Sequence, residues 1–293
     1  MITSSKSVSF LVTSFLVLLV VVSVIPFWLL FVSSFTSESY LIQNGYSLFP
    51  QQFSLAAYEY LWGVADSIGR AYLMSVIIAA IGVSANLVLT ILFAYPLSRK
   101  DLPGRDAISF FLFFTMLFNG GLVPTYLVYT NFFHVKDTLA GMIVPNLMMN
   151  AFFVIIMRSY FTSNILDEVL EAARIDGANE VQILTLIVLP LSKPIISTIG
   201  LMALLVYWNN WTNGIYFLTT RTDLYGIQNY LNAVINKASF LQSQMATMMS
   251  PMDIPNVSVR MAIAVIAVLP LLIAYPFFQR SFVKGITLGS VKG

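Results

Sequence analysis

Residues 164–194 read NILDEVLEAARIDGANEVQILTLIVLPLSKP, a helix, a turn and a second helix in one stretch. Asn164 is placed to cap the first helix, and Asp167 and Glu168 in its first turn suit the positive end of the helix dipole. Gly177 ends it by supplying a left-handed backbone position that other residues resist. Asn179, with Gln182 three residues on, is the pattern that starts a second helix. Pro190 and Pro194 end that helix and set the angle at which the chain enters the next segment. Ala172 and Ala173 leave a bare patch beside Glu171, where a partner helix can approach closely and a partner arginine can meet a carboxylate. On the residues alone, an ordinary amphipathic surface loop accounts for the same pattern, because helix-turn-helix connections are common.

On both sides of this stretch charge disappears. Six segments, 8–35, 71–98, 107–131, 138–157, 194–219 and 261–279, contain no Asp, Glu, Lys, Arg or His. Each has about the 20 residues that a helix needs to cross a bilayer core. The whole chain is 58% apolar and 10% charged, against about 25% charged residues in soluble domains. No single soluble core hides that much apolar surface, so the predicted fold class is an all-α membrane protein with six transmembrane helices. Lys6 precedes a largely apolar run from Val8 to Phe35 without charge, with Pro26, Phe27 and Trp28 where a signal-peptide cleavage site needs small residues. The run therefore reads as a retained first span.

An even number of spans puts both ends on one side. With the N-terminus inside, ten of the fifteen Lys and Arg fall in inside segments and five in outside ones, which predicts N-in and C-in. Residues 1–70 then form the first span and its external segment. Residues 71–293 form a core region whose 158–193 connection is cytoplasmic. Residues 36–70 and 220–260 are external, with turn and aromatic signals at Asn44-Gly45, Pro50 and Trp62 and at Pro251 and Pro255; the stretch 225–246 is open to short surface helices.

The absences narrow the function. There is no cysteine and one histidine, His134, beside Lys136 and Asp137 in a short external loop. Thiolate chemistry and a histidine metal or proton relay are excluded within this chain, and His134 reads as a surface residue. A net charge of +2 gives no reason to expect a nucleic-acid partner. No Gly-x-x-x-x-Gly-Lys-Ser/Thr loop is present to cradle ATP. The spans carry no ionisable residue, which proton- or sodium-coupled carriers use, and no Ser-His or Asp pair for an embedded hydrolase.

Neutral polar residues remain. Asn209, Thr212, Asn213 and Tyr216 recur at spacings of three and four, the spacing of one helix face, with Trp208 beside them. Asn146 and Asn150 repeat the spacing just past Pro145, and Asn119-Gly120-Gly121 with Pro124 interrupts the third span. Amides exchange hydrogen bonds with hydroxyls and aromatic rings stack on C–H faces, so these residues suit a sugar pathway. Asn that glues helices together and Trp that anchors at the interface account for them as well.

The run Glu171-Ala172-Ala173, then Asp176-Gly177-Ala178, then Ile187, Leu189 and Pro190, resembles the EAA loop of ABC importer permeases, and its extended form resembles the carbohydrate-type members. Phe49-Pro50 to Tyr58, Phe118-Asn119-Gly120-Gly121 with Pro124 and Tyr126, Asp137-Thr138, Pro145, Trp208-Asn209 and the tail Gly289 to Gly293 also resemble the oligosaccharide branch of that family. The chain departs from it at Asn164 and Gly226, where proline is frequent in the family. The resemblance implies the type I ABC importer permease fold in a bacterial cytoplasmic membrane. It implies a loop docked on an ATPase subunit through Glu171, Ala172, Ala173, Asp176, Gly177, Ile187, Leu189 and Pro190. It implies as partners a homologous permease, two ATP-binding subunits that hold ATP and Mg, and an extracytoplasmic solute-binding protein, with no cofactor in this chain. The expected activity is import of sugars, with a polyol or glycerol phosphate as alternative cargo and a secondary carrier as the alternative class.

Overall fold

The computed structural model describes residues 6–247 and 257–289. Among these the chain is helical, and its one isolated bridge pairs Thr36 with Phe53. The order is α1 (Lys6–Ser34), α2 (Glu38–Asn44), α3 (Ala56–Trp62), α4 (Ala65–Ser98), α5 (Arg105–Leu117), α6 (Leu122–Asn131), α7 (Leu139–Ile143), α8 (Ala151–Asn164) and α9 (Asp167–Ile175). Then come α10 (Glu180–Gln182), a π-helical turn (Ile183–Val188), α11 (Leu189–Leu191), α12 (Lys193–Asn209), α13 (Thr212–Phe217), a 3-10 turn (Thr222–Leu224), α14 (Ile227–Thr247) and α15 (Val257–Gly289). Pro251, Pro255 and the tail from Ser290 lie outside the described residues.

The chain divides into two compact units, residues 1–68 with 231–270, and 69–230 with 271–293. In the first unit α1 is apolar all round and exposes nearly every side chain from Val8 to Phe27. A helix of that kind has lipid as its solvent. The segment after it folds back on its end. Phe35 stacks on Tyr58 and Phe53, Ser34 Oγ and Tyr58 Oη share a 2.8 Å hydrogen bond, and Trp28 Nε1 donates to Leu48 O. The Glu38 carboxylate accepts the backbone N–H groups of Val257 and Ser258, each at 2.8 Å, together with the Ser258 hydroxyl. It thereby caps the first turn of α15, whose N–H groups have no partner within the helix.

In the second unit α4, α8 and α12 surround a core of Ala94, Val154, Met157, Ile183, Val188, Ile199 and Ala203, each essentially inaccessible. Gly226 is buried, and a Cβ there would come within 2.9 Å of Ser75 Oγ, which accepts the Ile227 N–H at 2.7 Å. The close approach explains glycine at this position.

Val8–Ser34 and α4 are each long and apolar enough to cross a membrane, and two bent pairs pass the same test together. The interruption expected in the third segment is present, and the fourth and fifth, expected to be single helices, are broken too, each for a local reason. The third, 107–131, splits into α5 and α6, bent by 116°. Gly121 takes φ 86° and its N–H bonds the Asn119 side chain, a turn that competes with the helix. The fourth, 138–157, is only the five-residue α7, an unwound turn, and α8 continuing to Asn164. Pro145 contributes no N–H and Asn146 is left-handed at φ 61°. In the fifth, 194–219, Asn210 leaves helical geometry and its side chain accepts the Asn213 N–H at 2.9 Å, which restarts the chain as α13. The sixth, 261–279, lies within the longer α15, and the 225–246 stretch is covered by the one 21-residue helix α14 rather than short pieces.

Candidate functional site

The 164–194 stretch folds as two helical segments around a tight turn, with two corrections. Asn164 does not cap α9. It is the last residue of α8, its amide donates to Tyr160 O at 3.1 Å, and Leu166 occupies the cap position. The amide finds a carbonyl in the turn it has just left, so it is spent before α9 begins. The first-turn Asp167 is bound instead by Lys100 Nζ at 2.9 Å and approached by Arg99 at 3.6 Å, which hold its carboxyl below the usual carboxylate range. Ala173 is the second correction. It is buried against the core while Ala172 is exposed, so the bare patch is half the expected width. Neighbouring helical positions point about 100° apart, and Leu170 and Ala173, three apart, share the inward face.

The turn itself forms as expected. Gly177 has φ 85°, its N–H bonds Arg174 O, and the Ala178 N–H bonds Ala173 O at 2.9 Å. Asn179 and Gln182 make both halves of a capping box at 2.9 Å each. Next comes the π-helical turn. Pro190 lacks an N–H and its ring crowds the carbonyl four residues back, a strain that a widened turn ahead of it relieves. The helix runs through Pro190 to Leu191, and the chain bends by 81° at Ser192 before α12. Ile187 and Leu189 are half-buried in this arm and Pro190 is exposed. Glu171, Ala172, Ile175, Asp176 and Gly177 form the exposed side, with Ile175 86% exposed.

A polar network fastens this loop to the end of α4. Arg174 bonds Glu180 Oε1 through Nη2 at 2.7 Å and reaches Asp101 at 3.7 Å. Tyr95 Oη donates to Glu180 Oε2 at 2.6 Å. The Tyr95 hydrogen bond and Arg174 together hold the Glu180 carboxyl below its usual range.

The other sequence-predicted residues separate into two groups. Asn213 is buried, and its amide donates to Pro145 O at 3.1 Å and Met142 O at 3.4 Å. Asn150 caps α8 by accepting the Phe152 and Phe153 N–H groups. Trp208 is buried, with its ring 6.3 Å from Tyr72. Asn119, Asn146, Asn209, Thr212 and Tyr216 are exposed. The expected common face of Asn209, Thr212, Asn213 and Tyr216 does not exist, because the helix is interrupted at Asn210 and Asn213 turns inward.

No family model matches the sequence. The polygalacturonan/rhamnogalacturonan transport system permease protein YtcP of Bacillus subtilis is 38% identical over 283 residues, 97% of either chain. This chain belongs to the sugar ABC transporter permeases. Protein LplC of the same organism is 33% identical to the permease over 93% of this chain and 90% of its own. A crystal structure of a bacterial ABC transporter involved in the import of the acidic polysaccharide alginate contains a chain that superposes on 96% of the permease. That superposition has a TM-score of 0.79 at 27% identity and covers all of the matched chain.

Sequence reasoning missed three groups in the permease. Tyr95, Arg174 and Glu180 were invisible as a unit because Tyr95 lies 85 residues from Glu180. Asn86 and Tyr207 read as span residues, yet Asn86 bonds Leu147 O at 2.9 Å and Tyr207 bonds Ile143 O at 3.1 Å. Exposed Ile175 carries no periodic signal that sets it apart. An unpaired Asn in the middle of a charge-free span was the one available pointer to Asn86.

Proposed function

We propose that the permease forms half of the translocation path of an ATP-driven oligosaccharide importer in the bacterial cytoplasmic membrane. It spans the membrane six times with both ends cytoplasmic, and pairs with a homologous permease, two ATP-binding subunits and an extracytoplasmic solute-binding protein. Glu171, Ala172, Asp176 and Gly177 on the exposed side meet the ATP-binding subunit, with Ala173, Ile187, Leu189 and Pro190 completing the same coupling loop. ATP and Mg are held by the partner, and this chain performs no hydrolysis. Asn119, Asn146, Asn209, Thr212 and Tyr216 offer neutral polar contacts along the path, and Trp208, Asn150 and Asn213 belong to the same segments.

The observation that carries this reading is the exposed helix-turn-helix on a chain that has no phosphate-binding loop of its own. Its apolar and acidic outer side fits a protein partner. The likeness to YtcP over nearly the full chain supports an oligosaccharide of the polygalacturonan or rhamnogalacturonan kind as cargo.

The test is reconstitution of the four-component complex in vesicles with oligogalacturonide as probe. ATP-dependent accumulation that requires this chain is the expected result, and uptake without the ATP-binding subunits overturns the reading. Because the chain lacks cysteine, single cysteines also report topology. Gln43→Cys and Thr222→Cys should react with an impermeant thiol reagent from outside, and Pro103→Cys and Ser163→Cys should not. Reaction at Pro103→Cys from outside would reverse the orientation.

A further inference from the structure

The break between α7 and α8 is irregular backbone held by side chains of three other helices. It lies between Asp137 and Arg158, the nearest charged residues on either side of a charge-free segment. From Arg158 back to Ala151 the helix rises only about 10 Å. The unwound turn therefore lies well inside the roughly 30 Å hydrocarbon core. Backbone carbonyls freed at that depth have no water to bond and must be satisfied by protein or line a wet cavity.

Three side chains from other elements satisfy them. Asn86 of α4 donates to Leu147 O at 2.9 Å. Tyr207 of α12 donates to Ile143 O at 3.1 Å. Asn213 of α13 donates to Pro145 O and Met142 O. All three donors are buried. The one polar side chain at the tip, Asn146, points the other way: it is exposed and has no hydrogen-bond partner among the described residues.

A bare amide at this depth is unfavourable against lipid. A turn held by three buried donors, with its only free amide outward, is built to present that amide to something polar. We infer that the Val144–Met149 turn is a sugar-hydroxyl contact of the translocation path, presented by Asn146, with Asn86, Tyr207 and Asn213 as positioning residues. This rests on the importer reading above and adds which buried side chains hold the Asn146 contact in place. A neutral amide donates and accepts at once, as a hydroxyl does.

The competing explanation is conformational: asparagine tolerates φ 61° better than most residues. Asn146→Gly separates the two, because glycine keeps the backbone and removes the amide. The readout is ATP hydrolysed per oligogalacturonide delivered by the reconstituted complex, a ratio independent of how much complex assembles. Asn146→Gly should raise it about 3- to 10-fold, the factor that one lost hydrogen bond sets. Tyr207→Phe, which removes one hydroxyl and keeps the ring, should raise it in the same direction. An unchanged ratio in Asn146→Gly overturns the contact, and an unchanged ratio in Tyr207→Phe overturns the positioning role.

A second arm needs no sugar. Asn146→Cys in the assembled complex should react with a small water-soluble maleimide in at least one nucleotide state. Silence in every state means the turn faces lipid or partner protein and removes the proposal, whereas failure of the wild-type complex to assemble or transport strikes the importer reading instead.

Discussion

Tyr95 Oη lies 2.6 Å from Glu180 Oε2, so the end of α4 is bonded to the second helix of the loop 85 residues further on. Arg174 grips the other oxygen of the same carboxylate and reaches Asp101 beyond α4. A push on the exposed side of α9 therefore has a hydrogen-bonded route into α4, a helix long and apolar enough to cross a membrane, as well as the chain connection through α12. Removing the Tyr95 hydroxyl deletes one charge-assisted bond, about 1.5–3 kcal/mol where it is shielded from water. Glu180→Gln leaves an acceptor for Tyr95 and removes an ion pair between half-exposed groups, about 0–1 kcal/mol. Tyr95→Phe should lower binding-protein-stimulated ATP hydrolysis and uptake more than Glu180→Gln does. The reverse order, in reconstituted vesicles, would mean the ion pair rather than the tyrosine joins the loop to α4.

Gly177 has φ 85° and nothing within 4 Å of a built Cβ. Substitution there is resisted by backbone strain alone. Gly177→Asn should be tolerated, Gly177→Ala should cost about 1–2 kcal/mol and Gly177→Val more, since β-branched residues resist positive φ. Co-purification with the ATP-binding subunit should fall in the order Asn, Ala, Val, while membrane insertion persists. Equal retention in all three would show that the partner does not read the shape of this turn.

The two alanines of the loop should behave oppositely. Ala173→Leu overfills a packed interior and should destabilise the purified subunit by about 1–3 kcal/mol. Ala172→Leu adds its bulk on the exposed side. It should leave the melting temperature in place and weaken capture of the ATP-binding subunit. A lowered melting temperature for Ala172→Leu, with capture intact, would place the partner surface elsewhere.

Asp137 accepts the backbone N–H groups of Thr219 and Thr220 at 2.9 Å or less, and that of Arg221 at 3.3 Å, which pushes its carboxyl down to about 2. A carboxyl with a lowered folded-state value stabilises fully above its unfolded value of about 3.9 and loses that contribution as pH falls towards about 2. Asp137→Asn should therefore destabilise the loop after α13 at neutral pH, and the gap to wild type should close between about pH 4 and pH 2. Proteolysis of this loop in detergent across that range is the measurement. A gap that stays constant with pH would mean the charge is irrelevant and only the acceptor geometry counts.

Local features were readable from residues alone. The Gly177 turn and the Asn179–Gln182 box depend on neighbours within five positions, so spacing determines them, and the charge-free stretches revealed a lipid-solvated helical chain because apolar length is itself the physical requirement. The Asn119–Pro124 run marked the interruption of the third segment and Pro145 lay at that of the fourth, whereas no proline or glycine marked Asn210 in the fifth. What only the tertiary structure decided is which polar residues are spoken for. Asn213 and Asn146 are the same residue type in similarly apolar surroundings. One is buried on carbonyls 68 and 71 residues away and the other is left exposed. The direction of a side chain follows from how its helix is rotated and interrupted against the others, and that rotation is set by packing across the whole unit.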